Sequence, residues 1–150
     1  MHEVLSRILR ILPVMPAIDW NLSTAAVWQR GRWQSDFVGF PETQAQALDD
    51  LLHIDAQKAS LQLNTAQFVA GLPANNALLW GARGAGKSSL IHGLLQEYAK
   101  DGLRLVELRK DELQELSEIV ARLSAEPYRF IVFCDDCLLY TSDAADDTPC

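Results

Sequence analysis

The sequence predicts an α/β fold in which helices flank a parallel sheet and a helical N-terminal segment precedes it. Short apolar runs at 77–80, 103–108 and 129–134 have the length of buried strands, and stretches with helical spacing of apolar residues separate them. Strands that alternate with helices form parallel sheets with right-handed crossovers. With 150 residues, the chain suits one modest domain of this kind or part of a larger one.

The N-terminal segment begins with an amphipathic helix predicted over residues 2–12, which Pro13 and Pro16 close. Its apolar run is interrupted by arginines, is too short to span a bilayer, and lacks the continuous core of a signal peptide. We therefore expect no membrane association and a cytoplasmic location. Residues 17–41 contain three tryptophans without a clear period, which leaves open a short β element or an ordered loop.

Four more helices are predicted along the chain. One follows Pro41, one is capped by Asp55, one covers residues 88–100 before Gly102, and one is capped by Asp111. Helical spacing predicts the inward-facing side chains of the last three helices. In chain order they are Ala56, Ala59, Leu63, Ala66 and Ala70, then Leu90, Ile91, Leu94, Leu95 and Tyr98, then Leu113, Leu116, Val120 and Leu123.

The charge of the chain argues against nucleic acid as a partner. The net charge is -7 and the pI about 4.8, whereas phosphate contacts need clustered Lys and Arg. Arg30 and Arg32 are the nearest approach to a basic patch, and a solvated loop is the favoured interpretation of that pair.

A glycine-rich segment between the first predicted strand and its helix carries the chemistry. It fits the pattern G-x-x-x-x-G-K-[ST] at every fixed position. A triphosphate needs many short donors, and glycines let the backbone turn its N–H groups inward at the positive end of a helix. Lys87 supplies charge to the β- and γ-phosphates, the Ser88 hydroxyl ligates Mg²⁺, and Ser89 helps at the α-phosphate. The residues of the loop are Gly81, Ala82, Arg83, Gly84, Ala85, Gly86, Lys87 and Ser88.

A second motif follows the last predicted strand, which ends in Asp135 and Asp136. Asp135 is predicted to bind Mg²⁺ through water, because Mg²⁺ gives up its waters reluctantly. Asp136 is placed to polarise the attacking water, and with Lys87 it forms the predicted catalytic pair. Together the two motifs predict binding of ATP with Mg²⁺.

These motifs and their flanks resemble the Walker A and Walker B regions of AAA+ ATPases. They are most similar to a bacterial AAA+ subgroup of unknown function. The resemblance spans roughly residues 44 to 136. It is carried by Ala70-Gly71-Leu72-Pro73-Ala74-Asn75-Asn76, by the stretch from Leu78 to Ser89, by Val106-Glu107-Leu108-Arg109-Lys110-Asp111-Glu112-Leu113, and by Phe133-Cys134-Asp135-Asp136.

The resemblance implies a P-loop NTPase fold and Mg-dependent ATP hydrolysis coupled to remodelling of a partner. It also implies a homo-oligomer, because the arginine finger of the family acts across subunits. It places Ile54, in the segment 53–58, against the adenine, although His53 stands where the family usually has glycine. Asp136 likewise stands where the family usually has the longer Glu.

The resemblance further implies three parts: an N-terminal segment at 1–42, a partial AAA+ core at 43–136, and a tail at 137–150. The tail resembles a translated sequencing adapter and is predicted to be non-native. The family core continues past residue 136 with a strand that separates the Walker A and Walker B strands, then a sensor, an arginine finger and a helical lid. The sheet is therefore expected to be incomplete, and this chain alone is expected to be inactive as an ATPase.

Two other functions stay open. A P-loop kinase uses the same loop, although the paired aspartates after the strand argue against it. A nucleotide-dependent interaction module without turnover is the other alternative.

Overall fold

The structure, a computed structural model, describes residues 17–40, 48, 54–79, 84 and 86–134. Its strands are β1 (Ala25–Gln29), β2 (Asp36–Gly39), β3 (Leu103–Leu108) and β4 (Arg129–Cys134). Its α-helices are α1 (Asp55–Val69), α2 (Lys87–Tyr98) and α3 (Leu116–Leu123), and 3₁₀ helices cover Ala99–Asp101 and Lys110–Glu115. The helix predicted over residues 2–12, most of the one after Pro41, and the tail lie outside the described residues.

The strands form one open sheet in the order β2-β1-β3-β4. β3 lies in the interior and pairs in parallel with β1 on one side and β4 on the other, while β1 and β2 form an antiparallel hairpin. Val106 of β3, for example, lies between Ala26 and Val132. The prediction of an α/β fold with a mostly parallel sheet is confirmed, and the predicted bounds of β3 and β4 are the observed ones.

For residues 17–41 the sequence predicts either a short β element or an ordered loop, and the structure shows the β element, the hairpin of β1 and β2. Trp28 of β1 is buried and meets the ring of Phe37 of β2 edge-on, with 4.8 Å between ring centroids. Gly31 lies in the connection, where a Cβ atom would stand 2.1 Å from the backbone oxygen of Gln34. Only glycine fits such a close backbone approach. The aromatic content of this segment therefore serves a packed hairpin.

Alternation along β3 divides the interior into two apolar clusters, one on each face of the sheet. Leu103 and Leu105 pack with α1 and α2, whereas Val106 and Leu108 pack with α3 and the aromatic residues of the hairpin. Each buried side chain of this size stabilises the fold by about 1.5–3 kcal/mol. Helices therefore cover both faces of the sheet, as a parallel sheet requires.

The strand predicted over residues 77–80 is not formed in its described part. Residues 77–79 have no regular structure, Leu78 is 72% exposed, and Trp80 lies outside the described residues. A strand needs a neighbour for its backbone groups. Both edges of β3 are occupied by β1 and β4, and the segment pairs with none of the four strands.

The predicted inward face of α1 is wrong, and that of α3 is correct only at Leu123. α1 buries Leu61 and Thr65 and exposes Leu63, and its N-cap position is Ile54, with Asp55 as the first helical residue. The last predicted helix begins as a 3₁₀ helix, whose three residues per turn shift the phase of the α-helix that follows. The buried positions there are Glu112, Ile119 and Leu123, and the exposed ones include Leu113, Leu116 and Val120.

The face of α2 is as predicted. Leu90, Ile91, Leu94 and Leu95 are buried, and Tyr98 packs against the same cluster while partly exposed. Gly102, with φ +92°, follows the 3₁₀ turn after α2 and leads into β3. Positive φ favours glycine, which is why the helix ends where the sequence places its stop.

Arg104 is a buried cation at the amino end of β3. Its Nε donates to the carbonyl of Trp20 at 2.8 Å, and its Nη1 donates to the carbonyls of Ala99 at 3.0 Å and Leu103 at 2.8 Å. The guanidinium also lies over the ring of Tyr128, 4.1 Å from the centroid. One side chain therefore joins the segment before β1, the turn after α2, and β3.

Within the described residues, no helix combines the length and the apolar character needed to cross a membrane.

Candidate functional site

The described part of the predicted loop lies at one edge of the sheet. β1, β3 and β4 run in parallel, so their carboxyl ends meet at the same edge. α2 returns the chain to the amino end of β3, so α2 begins at that carboxyl edge. Ligands of open α/β sheets bind outside the carboxyl ends of the strands. The loop before α2 therefore opens where this architecture places ligands.

Two glycines of the predicted loop have a left-handed backbone. Gly84 and Gly86 both have φ +80°, a conformation that residues with side chains rarely adopt. Apart from the chain neighbours of Gly84, no atom of the described residues comes within 4 Å of its Cβ position. The backbone here suits a loop that turns its N–H groups toward an anion.

The amino end of α2 directly continues the loop. Gly86 occupies the N-cap position, so no side chain caps this helix end, and the Leu90 N–H donates to the Gly86 carbonyl at 2.9 Å. Lys87, Ser88 and Ser89 form the first turn and are half-buried. The helix dipole adds partial positive charge there, which favours an anionic ligand.

Part of the predicted site lies outside the described residues. Asp135, one of the two predicted Mg²⁺ ligands, and the water-polarising Asp136 belong to this part. The roles of Asp135, Asp136 and Ser88 all stay predictions. Within the segments that the structure describes, no group of three or more His, Cys, Asp or Glu side chains is arranged to hold a metal ion. The site residues outside the description are Gly81, Ala82, Arg83, Ala85, Asp135 and Asp136.

Ile54 lies on the α1–α2 side of the sheet. It stands at the N-cap position of α1, its carbonyl accepts from the Lys58 N–H at 2.8 Å, and its half-buried side chain packs against the cluster formed with α2. α1 and α2 thus share one face of the sheet, which brings Ile54 to the same side as the helix of the loop. Its contact with adenine stays a prediction.

At the carboxyl end of β1, Arg30 is engaged in an internal ion pair. Its Nε donates to one carboxylate oxygen of Glu115, its Nη2 donates to the carbonyl of Asp111 at 2.9 Å, and Trp28 Nε1 donates to the other oxygen of Glu115 at 2.7 Å. These hydrogen bonds, that of Trp28 above all, lower the pKa of Glu115 below its usual range. The pair fastens the hairpin to the segment after β3.

One polar pair near the site was missed by the sequence reasoning. His92 of α2 places Nε2 2.9 Å from Oε1 of Glu107 in β3, and the ring of Phe40 lies edge-on to the imidazole at 6.5 Å between centroids. The hydrogen bond to Glu107 raises the pKa of His92 above its usual 6.5, and burial opposes that shift. The signal in the sequence is a carboxylate inside the otherwise apolar end of β3.

This pair predicts a pH-dependent stability. Because the pKa of His92 is raised in the folded state, its contribution is complete below about pH 6.5 and is lost as the pH rises through the raised pKa. Urea denaturation across this range should show the wild type losing stability relative to His92→Gln, which cannot titrate. Parallel pH profiles for the two proteins would contradict the assignment.

Fold and site together define an α/β protein with an open, mostly parallel sheet and a glycine loop at the carboxyl edge. The chain belongs to the DUF815 family of proteins of unknown function, whose family model matches residues 21–147. The matched range contains all four strands and reaches into the segment 137–150, whose non-native origin stays a prediction. No curated protein and no solved structure matches the chain.

Proposed function

We propose that this chain binds Mg-ATP through residues 81–89 and is the nucleotide-binding core of an AAA+-type ATPase. One observation carries the proposal. The loop passes through Gly84 and Gly86 with positive φ directly into the amino end of α2, at the carboxyl edge of a parallel sheet. In this proposal the triphosphate is held at this end of α2. It is bound there by backbone N–H groups, by the helix dipole and by Lys87.

Each site residue has a role in this proposal. Lys87 contacts the β- and γ-phosphates, Ser88 and Asp135 hold the metal, and Asp136 polarises the attacking water. Bound Mg²⁺ would neutralise part of the phosphate charge. The loop residues and Ser89 bind the phosphates through the backbone and the hydroxyl. The adenine is assigned to Ile54.

The wider activity follows from the resemblance to AAA+ proteins. In this proposal, hydrolysis drives remodelling of a protein partner by a homo-oligomer in the cytoplasm. The acidic composition and the internal ion pair of Arg30 both disfavour nucleic acid as that partner.

One observation favours a second function, a nucleotide-dependent interaction module without turnover. Residues 77–79 form no strand, so the described residues that precede the loop are not held by pairing with the sheet. Phosphoryl transfer depends almost entirely on positioning, so a loop anchored on one side favours binding over turnover.

The test combines calorimetric titration of the 150-residue chain with Mg-ATP and a phosphate-release assay on the same sample. Binding with phosphate release favours the ATPase over the interaction module. Binding without release is expected both for the interaction module and for an ATPase core that is inactive on its own. Absence of Mg-ATP binding contradicts both. ADP and GTP titrations run alongside show whether the γ-phosphate and the adenine are recognised.

A second measurement addresses the metal. Ser88→Ala is expected to leave a measurable affinity for metal-free ATP but to remove most of the gain that Mg²⁺ brings, because the hydroxyl is the proposed ligand. ATP titrations with Mg²⁺ and with EDTA give, for the wild type and for the variant, the ratio of the two ATP affinities. Ser124→Ala is the matched control, since its exposed hydroxyl donates to the carbonyl of Ala121, outside the predicted site. Equal ratios for wild type and Ser88→Ala would remove Ser88 from the metal site.

A further inference from the structure

The His92–Glu107 contact ties the helix after the loop to the interior strand of the sheet. His92 follows Lys87 by less than two turns of α2, and Glu107 is the next-to-last residue of β3. The 2.9 Å separation of Nε2 and Oε1 is within hydrogen-bond distance. The contact therefore lies near the edge of the sheet where the loop opens.

The other attachments of α2 to the sheet are mostly apolar. Leu90, Ile91, Leu94 and Leu95 fill the cluster beneath the helix. Apolar burial is non-directional, so it holds the helix on the sheet without fixing its rotation or its height closely. A hydrogen bond has a narrow range of distance and angle, so it fixes both.

The surroundings of Glu107 make His92 its natural partner. Its neighbours in the sheet are Val27 on β1 and Phe133 on β4, and Phe40 meets the imidazole from the end of the hairpin. None of these three side chains has a hydrogen-bond donor. A half-buried carboxylate in such surroundings depends on a donor from the helix above it.

We propose that the His92–Glu107 pair positions the nucleotide loop. It fixes the rotation and height of the first turns of α2, and so determines where Lys87 and Ser88 meet the phosphates. This inference rests on the proposed Mg-ATP function. His92 is a positioning residue and does not itself touch the nucleotide.

A double-mutant cycle on Mg-ATP affinity tests this role. At one fixed pH, His92→Ala and Glu107→Ala should each weaken binding by about three- to tenfold, the worth of one hydrogen bond. The double variant should bind no more weakly than either single variant, because both remove the same contact. Glu107→Gln keeps an acceptor for the imidazole and should bind nearly as the wild type does.

The matched control is a second polar contact of α2. Gln62 Nε2 of α1 donates to Glu97 Oε2 at 3.0 Å, near the opposite end of α2 from the loop. Gln62→Ala and Glu97→Ala should leave the Mg-ATP affinity within about twofold of wild type, since they are distant from the loop.

Melting temperatures of all variants separate positioning from stability. Lower melting temperatures with wild-type affinity, or additive losses in the cycle, would overturn the inference. Suppose that the wild type binds Mg-ATP, that Lys87→Ala does not, and that the His92 and Glu107 variants all bind as the wild type does. The positioning role is then refuted while the proposed function stands. If the wild type does not bind, the proposed function and the inference fail together.

Discussion

Replacing Lys87 by alanine is expected to abolish Mg-ATP binding. The ammonium group is the full positive charge assigned to the β- and γ-phosphates, and hydrogen bonds to charged groups are the strong ones. Its loss, at two phosphates in a half-buried position, should weaken binding by at least ~100-fold. Alanine is the best helix former, so α2 should still begin at this position.

Lys100→Ala is the matched control for this variant. Lys100 is exposed in the 3₁₀ turn at the other end of α2, so the change removes the same charge far from the loop. Calorimetry should show wild-type affinity for Lys100→Ala and none for Lys87→Ala, with similar melting temperatures. Equal affinity of Lys87→Ala and wild type would refute the assignment of the phosphate loop.

Replacing Arg104 by methionine is expected to cause the largest loss of stability. Methionine fills much of the same volume but loses three hydrogen bonds to the carbonyls of Trp20, Ala99 and Leu103. Methionine carries no charge, so the cost of removing the guanidinium from water disappears, and this offsets part of the loss. The free energy of unfolding should fall by about 2–4 kcal/mol, with a decrease of roughly 10 °C in melting temperature.

Arg32→Met provides the comparison, because Arg32 is exposed in the connection between β1 and β2. Surface substitutions of this kind usually change stability by less than ~0.5 kcal/mol. Chemical denaturation of the wild type and both variants gives the change in the free energy of unfolding that each substitution causes. Equal stabilities would show that the carbonyls of the Arg104 site find other partners.

The elements that the sequence predicts well are bounded by local signals. β3 and β4 are short apolar runs, and Gly102 separates β3 from the helical turn before it. α2 follows a glycine with positive φ and buries four large apolar side chains at regular helical spacing. In these segments the local propensity, the apolar pattern and the tertiary packing all favour the same element, so the pattern alone is sufficient to predict it.

The elements that the sequence predicts wrongly depend on distant partners. Residues 77–79 are apolar enough for a strand, but strand formation needs a free sheet edge beside them. The inward face of α1 cannot be read from its alanines, which suit buried and exposed positions alike. The buried Glu112 is hidden for another reason: its carboxylate accepts from the Arg109 N–H at 2.8 Å and pairs with that guanidinium, which the helical pattern does not show.

The candidate site divides in the same way. The loop is specified by consecutive residues, so a short sequence motif is sufficient to identify it. The His92–Glu107 pair joins a helix to a strand, and its one signal in the sequence, a carboxylate in the apolar end of β3, does not identify the partner. Such a contact appears only when the crossover from α2 to β3 brings the two residues together.

The position of β1 beside β3 has a consequence for the order in which the protein forms on the ribosome. The hairpin is made before the rest of the sheet. Yet Trp28 of β1 contacts Glu115 across 87 residues, and Trp20, just before the hairpin, contacts Arg104 across 84 residues. Contacts of such long sequence separation are slow to close. At ordinary rates of synthesis, the roughly 70 residues from the hairpin to the end of β3 take about 4–14 s, so one edge of β1 waits that long for its partner. The glycine loop is synthesised within this interval, and its helix has no completed sheet to dock on until β3 emerges.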